Sequence, residues 1–283
     1  MKRLFNICLV IALHAIILTS CDLLFPYSVE DAPAAPIVEP DTTSVTLNGK
    51  FSIGEGKLVQ FSPGNLQYRA STDEWRFAPD QTECIGLDNE NISSSYSGWI
   101  DLFGWGTGKN PTRTGEVGYS VYADWGINKI GNDNSRTWRA LTKDEWEYLL
   151  TRRLNADKLN GAVRVELEKD NSILGWVLLP DAWVCPAGFT FTEGFTGEYS
   201  GNVFLLDEWK LLEASGAVFL PAAGDRSDDL IVYGLGNFGY YWSATGSDNY
   251  STLAYELYFE SKRVSMTISH RYTGLSVRLV KDL

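Results

Sequence analysis

The tetrapeptide Thr142-Lys143-Asp144-Glu145 constrains this chain more than any other run of residues. A threonine three places before a glutamate makes a reciprocal helix cap: the Thr142 hydroxyl accepts from the Glu145 amide while the Glu145 carboxylate reaches back to the Thr142 amide. Leu141 and Trp146 occupy the two positions of a hydrophobic staple, and Trp146, Leu149 and Leu150 continue the apolar stripe at helical spacing. The pattern predicts a helix from 143 to about 152 with one face committed to a core. A second, shorter helix is predicted from 207 to 214, with Trp209 and Leu212 inward and Gly216 placed to end it.

Elsewhere the signals are those of short strands. Residues 57–61 (Lys-Leu-Val-Gln-Phe) have strand character, close on the turn Ser62-Pro63-Gly64-Asn65, and return through 66–69. Residues 217–220 form an apolar strand stopped by Pro221, and 240–243, 253–259 and 275–280 alternate or cluster apolar residues at strand lengths. From 78 to 134 regular periodicity fades into Gly, Asn, Ser and aromatic residues, a length of loop that in a compact domain is usually functional. Two helices among many short strands and long loops define an α+β domain.

The N-terminus sets the compartment. Lys2 and Arg3 precede an apolar run from Leu4 to Leu18, shorter than the roughly 20 residues a bilayer requires, and Leu18-Thr19-Ser20-Cys21 closes it. Residues 1–20 are therefore read as an export signal. The tetrapeptide resembles the lipobox of bacterial lipoproteins, which implies acylation of Cys21, an anchor strong enough without a spanning helix because each buried methylene contributes about 0.8 kcal/mol. Residues 21–44, with Pro26, Pro33, Pro36 and Pro40 among acidic residues, read as a semi-stiff tether. Residues 45–283 carry no second linker and read as one domain. Loss of Lys2 and Arg3 with the signal takes the net charge from -12 to -14, which argues against nucleic acid or an anionic membrane surface as partner.

Further motifs carry a family resemblance. The run from Arg139 to Tyr148 resembles the helix entry of formylglycine-generating-enzyme-like domains, which have a C-type-lectin-like fold. Gly239-Tyr240-Tyr241-Trp242-Ser243-Ala244-Thr245, the ending Gly274-Leu275-Ser276-Val277-Arg278-Leu279-Val280, and Val184-Cys185-Pro186-Ala187-Gly188-Phe189 are similar to exported domains of the Fibrobacter major paralogous type. The resemblance implies two helices, short antiparallel strands and long loops. It also implies pairing of the first and last strands, chain ends brought together, and a long loop region as the working face. The stretch from Trp242 to Arg278 looks like the region that some lectin-fold proteins diversify by a retroelement, and so marks where ligand contacts would lie.

Candidate chemistry is sparse. His270 is the single histidine after the signal, so a site with two or three imidazoles is excluded, and in its polar setting it reads as a surface or strand-end residue. Oxidases of the resembled superfamily bind copper through two cysteines near the C-terminal end, whereas this chain has no cysteine after Cys185. Cys84 and Cys185 are either one disulfide or two buried thiols. Glu145 and Glu147 read as a cap and a solvent-facing residue rather than a glycosidase pair. Asp225, Asp228 and Asp229 are either a calcium site built of carboxylate oxygens or a solvated acidic loop. Trp99, Trp105 and Trp125, set among Gly and Asn, are the candidate ligand contacts, with burial as loop pins the alternative, whereas Tyr241 and Trp242 read as core.

These residues together predict a lipoprotein anchored to the outer membrane, on its periplasmic or surface face, whose domain binds a glycan or protein ligand and catalyses nothing, with calcium the one candidate cofactor. The alternatives are an envelope enzyme, either a diverged oxidase or a carbohydrate-active hydrolase, and a structural subunit of a surface assembly. Replacing Thr142 by Ala removes the cap and is expected to lower unfolding stability by about 1 kcal/mol in a urea titration.

Overall fold

A computed structural model describes residues 49–283 apart from 117, 118, 120, 169, 170 and 195–198. The expected signal peptide, the Cys21 lipid site and the tether lie outside the described residues. The opening hairpin joins β1 (Phe51–Gly54) to β2 (Lys57–Phe61). Gly56, at φ 67°, supplies the left-handed backbone that so tight a reversal requires. A second hairpin follows, β3 (Leu66–Arg69) with β4 (Glu74–Phe77).

The capped helix α1 (Lys143–Glu147) starts as the sequence predicts. The Glu145 amide donates to Thr142 Oγ1 at 3.3 Å and the Thr142 amide to Glu145 Oε2 at 2.8 Å. From Tyr148 to Arg152 the chain widens into a π-helical turn, so the predicted helix is one helical run of two hydrogen-bond registers. Trp146 is fully buried against Phe61, and Leu149 and Leu150 follow it inward.

The largest sheet comes from β5 (Asn160–Glu168) and β6 (Asn171–Leu178), which pair antiparallel over their whole length. β7 (Val203–Leu205) adds in parallel to β5. The helix α2 (Leu206–Ala214) follows at once, with Glu208 accepting from the Leu205 amide and Gly216, at φ 98°, just past its end. β8 (Val218–Pro221) completes the order β7-β5-β6-β8. Both faces are covered: Ala162, Trp176, Leu178 and Leu220 enter the core with α1, while Val163, Val165, Val177 and Phe219 pack on Trp209 and Leu212 of α2. Gly175 is needed where β6 meets β8, since a Cβ there would lie 2.5 Å from the Leu220 carbonyl oxygen.

A two-stranded ribbon, β9 (Asp225–Arg226) with β10 (Val232–Tyr233), leads to the C-terminal sheet of β11 (Gly239–Gly246), β12 (Leu253–Glu260) and β13 (Arg263–His270). Tyr241, Leu257 and Phe259 leave one face of that sheet for the α1 core. Trp242 and Ala254 leave the other, for a second core with Trp75, Phe103, Trp105 and Trp125.

The last strand, β14 (Val280–Asp282), pairs with β2, so the opening hairpin and the chain's end share a sheet of order β1-β2-β14. Residues 275–279, predicted as one strand with 280, are extended but bonded in turn to several neighbours. The Ser62 amide donates to Leu279 O and the Leu66 amide to Val277 O, each at 2.9 Å, while Phe103 and Leu275 exchange two bonds and the Trp242 amide donates to Ser276 O at 3.0 Å. Leu275, Val277 and Leu279 alternate into the second core. On the opposite side Arg278, 1 % exposed, donates to Gln81 Oε1 at 2.6 Å and Asn65 Oδ1 at 3.4 Å. Gln81 in turn accepts from the Phe219 amide and donates to Ala217 O, tying the long loop to β8. The architecture is α+β, with mainly antiparallel strands in small sheets and a loop-rich half.

Truncating Arg278 leaves a cavity and removes the guanidinium bridge between Gln81 and Asn65, so Arg278→Ala is expected to cost about 3 kcal/mol or more in urea unfolding. Arg278→Met refills the volume while the Phe219 amide keeps Gln81 satisfied, and should cost less than half as much. Equal losses in the two variants would refute this account of the contact.

Candidate functional site

The C-terminal sheet and the β9–β10 ribbon enclose a pocket of about 340 Å³ lined by Asp225, Tyr240, Leu253, Ser269, His270, Thr273 and neighbouring apolar side chains. Strand alternation explains the convergence. Tyr240 lies opposite Tyr258, Glu256 opposite Thr267 and Ala254 opposite Ser269, so these residues share one face of the sheet. On the flank, the rings of Phe238, Tyr240 and Tyr258 form an aromatic cluster with centroids 5.2 to 6.4 Å apart.

Glu256 shares the sheet face of the pocket-lining Tyr240 and Ser269 and is 2 % exposed. Thr267 Oγ1 donates to its Oε1 at 2.9 Å, while its Oε2 is buried without a hydrogen-bond partner. Burial pushes its carboxyl up to about 7, against the hydroxyls of Ser269 and Thr267, with the nearby charge of Asp225 adding to the rise. Asp225, half-buried on the pocket wall, is itself raised by burial. Among the described residues no ion pair engages either carboxyl. His270 ends β13 exposed at the rim, stacked on Tyr272 at 5.0 Å. The arrangement presents acceptors and hydroxyls beside flat rings, the chemistry of a recognition pocket. Perturbed carboxyls in a cleft are themselves a marker of function.

The residues singled out from the sequence are only partly assembled here. Trp125 is fully buried in the second core. Trp105, 5 % exposed, donates from its indole to Ser243 O at 3.0 Å and carries the Arg271 guanidinium 4.3 Å above its ring. Both are corrected from ligand contacts to packing residues, although an edge of Trp105 borders a second cleft of about 320 Å³ with Lys109, Arg113 and Tyr122. Trp99 is half-buried, with the guanidinium groups of Arg76 and Arg69 at 3.9 and 4.6 Å from its ring. Its π-face is thus already engaged.

The proposed calcium trio is split. Asp225 turns to the pocket. Asp229 accepts from Ser227 Oγ, the Ile231 amide and Tyr233 Oη to close a turn, and Asp228 accepts from the Asp229 amide. Among the described residues no group of three or more His, Cys, Asp or Glu side chains is placed to hold a metal ion. The disulfide alternative is corrected as well. Cys84 and Cys185 are free thiols, the first packed with Leu102, Ala223 and Val232, the second against the α2 core. Lying in separate clusters, they form no thiolate pair of the kind that binds copper.

Sequence reasoning missed Glu256. Its signal was a carboxylate inside the apolar run Leu253-Ala254-Tyr255-Glu256-Leu257-Tyr258-Phe259, where the period of two places it on a covered face.

The folded Glu256 keeps a proton that the unfolded chain, at the ordinary value of 4.5, has already released. Its folded pKa being the higher, the stability it contributes is fully present below about 4.5 and is lost as pH rises through about 7. Glu256→Gln removes this dependence. The stability of the variant relative to the parent chain is therefore expected to rise by roughly 3 kcal/mol at most between pH 4.5 and pH 8, at 1.36 kcal/mol per pKa unit. Denaturant unfolding across that range checks it, and parallel profiles would contradict the assignment. Asp101, fully buried and raised by burial to about 6, supplies a second fall over lower pH that both proteins share.

Compared with known proteins, the chain matches no family model, no curated protein and no solved structure.

Proposed function

We propose that this chain is a lipid-anchored recognition protein of the bacterial cell envelope, held on the outer membrane through Cys21, whose C-type-lectin-like domain binds a glycan or protein ligand and leaves it unchanged. The carrying observation is the pocket on the C-terminal sheet, where Asp225, Tyr240, Ser269, His270 and Thr273 converge on one volume from three stretches of chain. It lies within the stretch from Trp242 to Arg278 and the strands beside it, where the resemblance puts ligand contacts. The pairing of β2 with β14, the capped α1 and the strandless stretch between β4 and α1 support the lectin-like reading of the fold.

Hydrolysis is the rival that the two raised carboxyls favour, since a protonated acid beside a second carboxyl is what glycosidic cleavage uses. A general acid has to come within hydrogen-bond reach of the oxygen it protonates. Glu256 is sealed under the sheet face with its free oxygen buried, so it acts on a ligand as a field rather than as a contact. Binding is the better fit.

Full-length protein purified in detergent and applied to glycan and protein arrays is expected to retain a defined set of ligands, with Tyr240→Ala reducing capture at least tenfold. Cys21→Ala should move the chain from the membrane to the soluble fraction. Turnover of a fluorogenic glycoside, or capture indifferent to Tyr240→Ala, would overturn the reading.

A further inference from the structure

Asp225 lines the cavity and Glu256 lies buried behind it, on the sheet face that carries Tyr240 and Ser269; two acids this close without a cation between them are an unsatisfied arrangement, because each disfavours the charge of the other and burial disfavours both. Elsewhere on the protein the buried Asp101 is held by hydrogen bonds from the Ile85 amide and the Asn89 side chain, and the partly buried Glu145 and Asp80 are paired, with Arg139 and Lys210. Asp225 and Glu256 have no such partner among the described residues. Glu256 leaves β12 on the face that carries Tyr240 and Ser269, both of which line the pocket, and the side-chain donors beside its carboxyl are the neutral hydroxyls of Thr267 and Ser269.

From this geometry we infer that the pocket selects an organic cation, a primary ammonium or a guanidinium group on the ligand, with Asp225 as the contacting carboxylate, the ring of Tyr240 as the wall on which the cation rests, and Glu256 as the buried counter-charge behind Ser269. The inference rests on the reading of this pocket as the recognition site and specifies what that site takes. A metal ion would need more ligating groups than the pocket brings together, whereas an organic cation needs one or two acceptors and an aromatic face. The same aromatic cluster already accommodates such a group on its outer side, where the Arg263 guanidinium lies 5.0 Å from the Tyr258 ring. The negative charge of the chain favours the approach of a cationic ligand.

The arrangement has a proton consequence. With the pocket empty, Glu256 holds its proton near neutral pH; a bound cation stabilises the carboxylate, and the proton passes to the buffer. The titratable groups beside Glu256 are Asp225 from β9, Tyr240 from β11 and Tyr258 from its own strand; His270, opposite Leu253 at the end of β13, is out of step with Glu256 but lines the same pocket. As the one imidazole in the pocket lining, His270 has its own control variant.

The test is calorimetric titration of the full-length protein in detergent with n-butylguanidinium and n-butylammonium at pH 6.5, repeated in buffers of different ionisation enthalpy, with n-butanol and methyl glucoside as neutral probes. At least one cation is expected to bind, at least tenfold more tightly than either neutral probe, and Asp225→Asn should weaken it at least tenfold. Release of a fraction of a proton on binding should disappear in Glu256→Gln and persist in His270→Gln. Cation binding that Asp225→Asn leaves unchanged, or proton release that survives Glu256→Gln, overturns the inference. Preferential binding of methyl glucoside, lost in Tyr240→Ala, overturns the cation while leaving the recognition pocket in place. If none of the probes binds and array capture ignores Tyr240→Ala, both readings fail together.

Discussion

A guanidinium shut away from water has to find its acceptors within the chain, and the route by which Arg278 does so organises this molecule. Gln81 and Asn65, its two acceptors, come from the long loop and from the turn after the opening hairpin, and Gln81 is bonded at the same time to both sides of the Ala217–Phe219 backbone. Meanwhile the backbone of residues 275–280 is shared among five other segments rather than spent on one ladder partner. A segment that belongs to no single sheet holds the hairpin, the long loop, the C-terminal sheet and the start of α1 in one register. Loops of that length order only when groups such as these offset the entropy of fixing them.

Local signals in the sequence were legible where one neighbour decides the outcome. Thr142 and Glu145 need only each other to start a helix, and Gly216 needs only its own φ to end one. The hairpin from Lys57 to Arg69 and the strands carrying Tyr241 and Leu257 showed themselves by length and residue type. The β5–β6 pair passed unread although residues 163–168 alternate apolar with polar; its partner half, 175–178 of β6, is covered on both faces and gives no alternation to match. The ending 275–280 read as a strand because its side chains alternate, but side-chain periodicity does not reveal which backbone groups are paired.

The site was less legible than the fold for the same reason. Loop tryptophans draw attention as large rings in polar surroundings, yet Trp105 and Trp125 are the filling of the second core, and Trp99 is clasped by two arginines. What distinguishes a contact residue from a pin is the direction of the ring, which depends on residues more than a hundred positions away, as the bond from Trp105 to Ser243 illustrates. Glu256 makes the converse point. A charge in an apolar strand is costly wherever the strand packs, so its presence calls for an explanation that composition alone does not raise.

The two thiols also carry a consequence for how the fold answers to its redox surroundings. Cys84 and Cys185 are each packed among apolar neighbours in different parts of the core, and the architecture closes through burial, hydrogen bonds and ion pairs. Among the described residues, then, the fold contains no disulfide for an oxidant to form or a reductant to break.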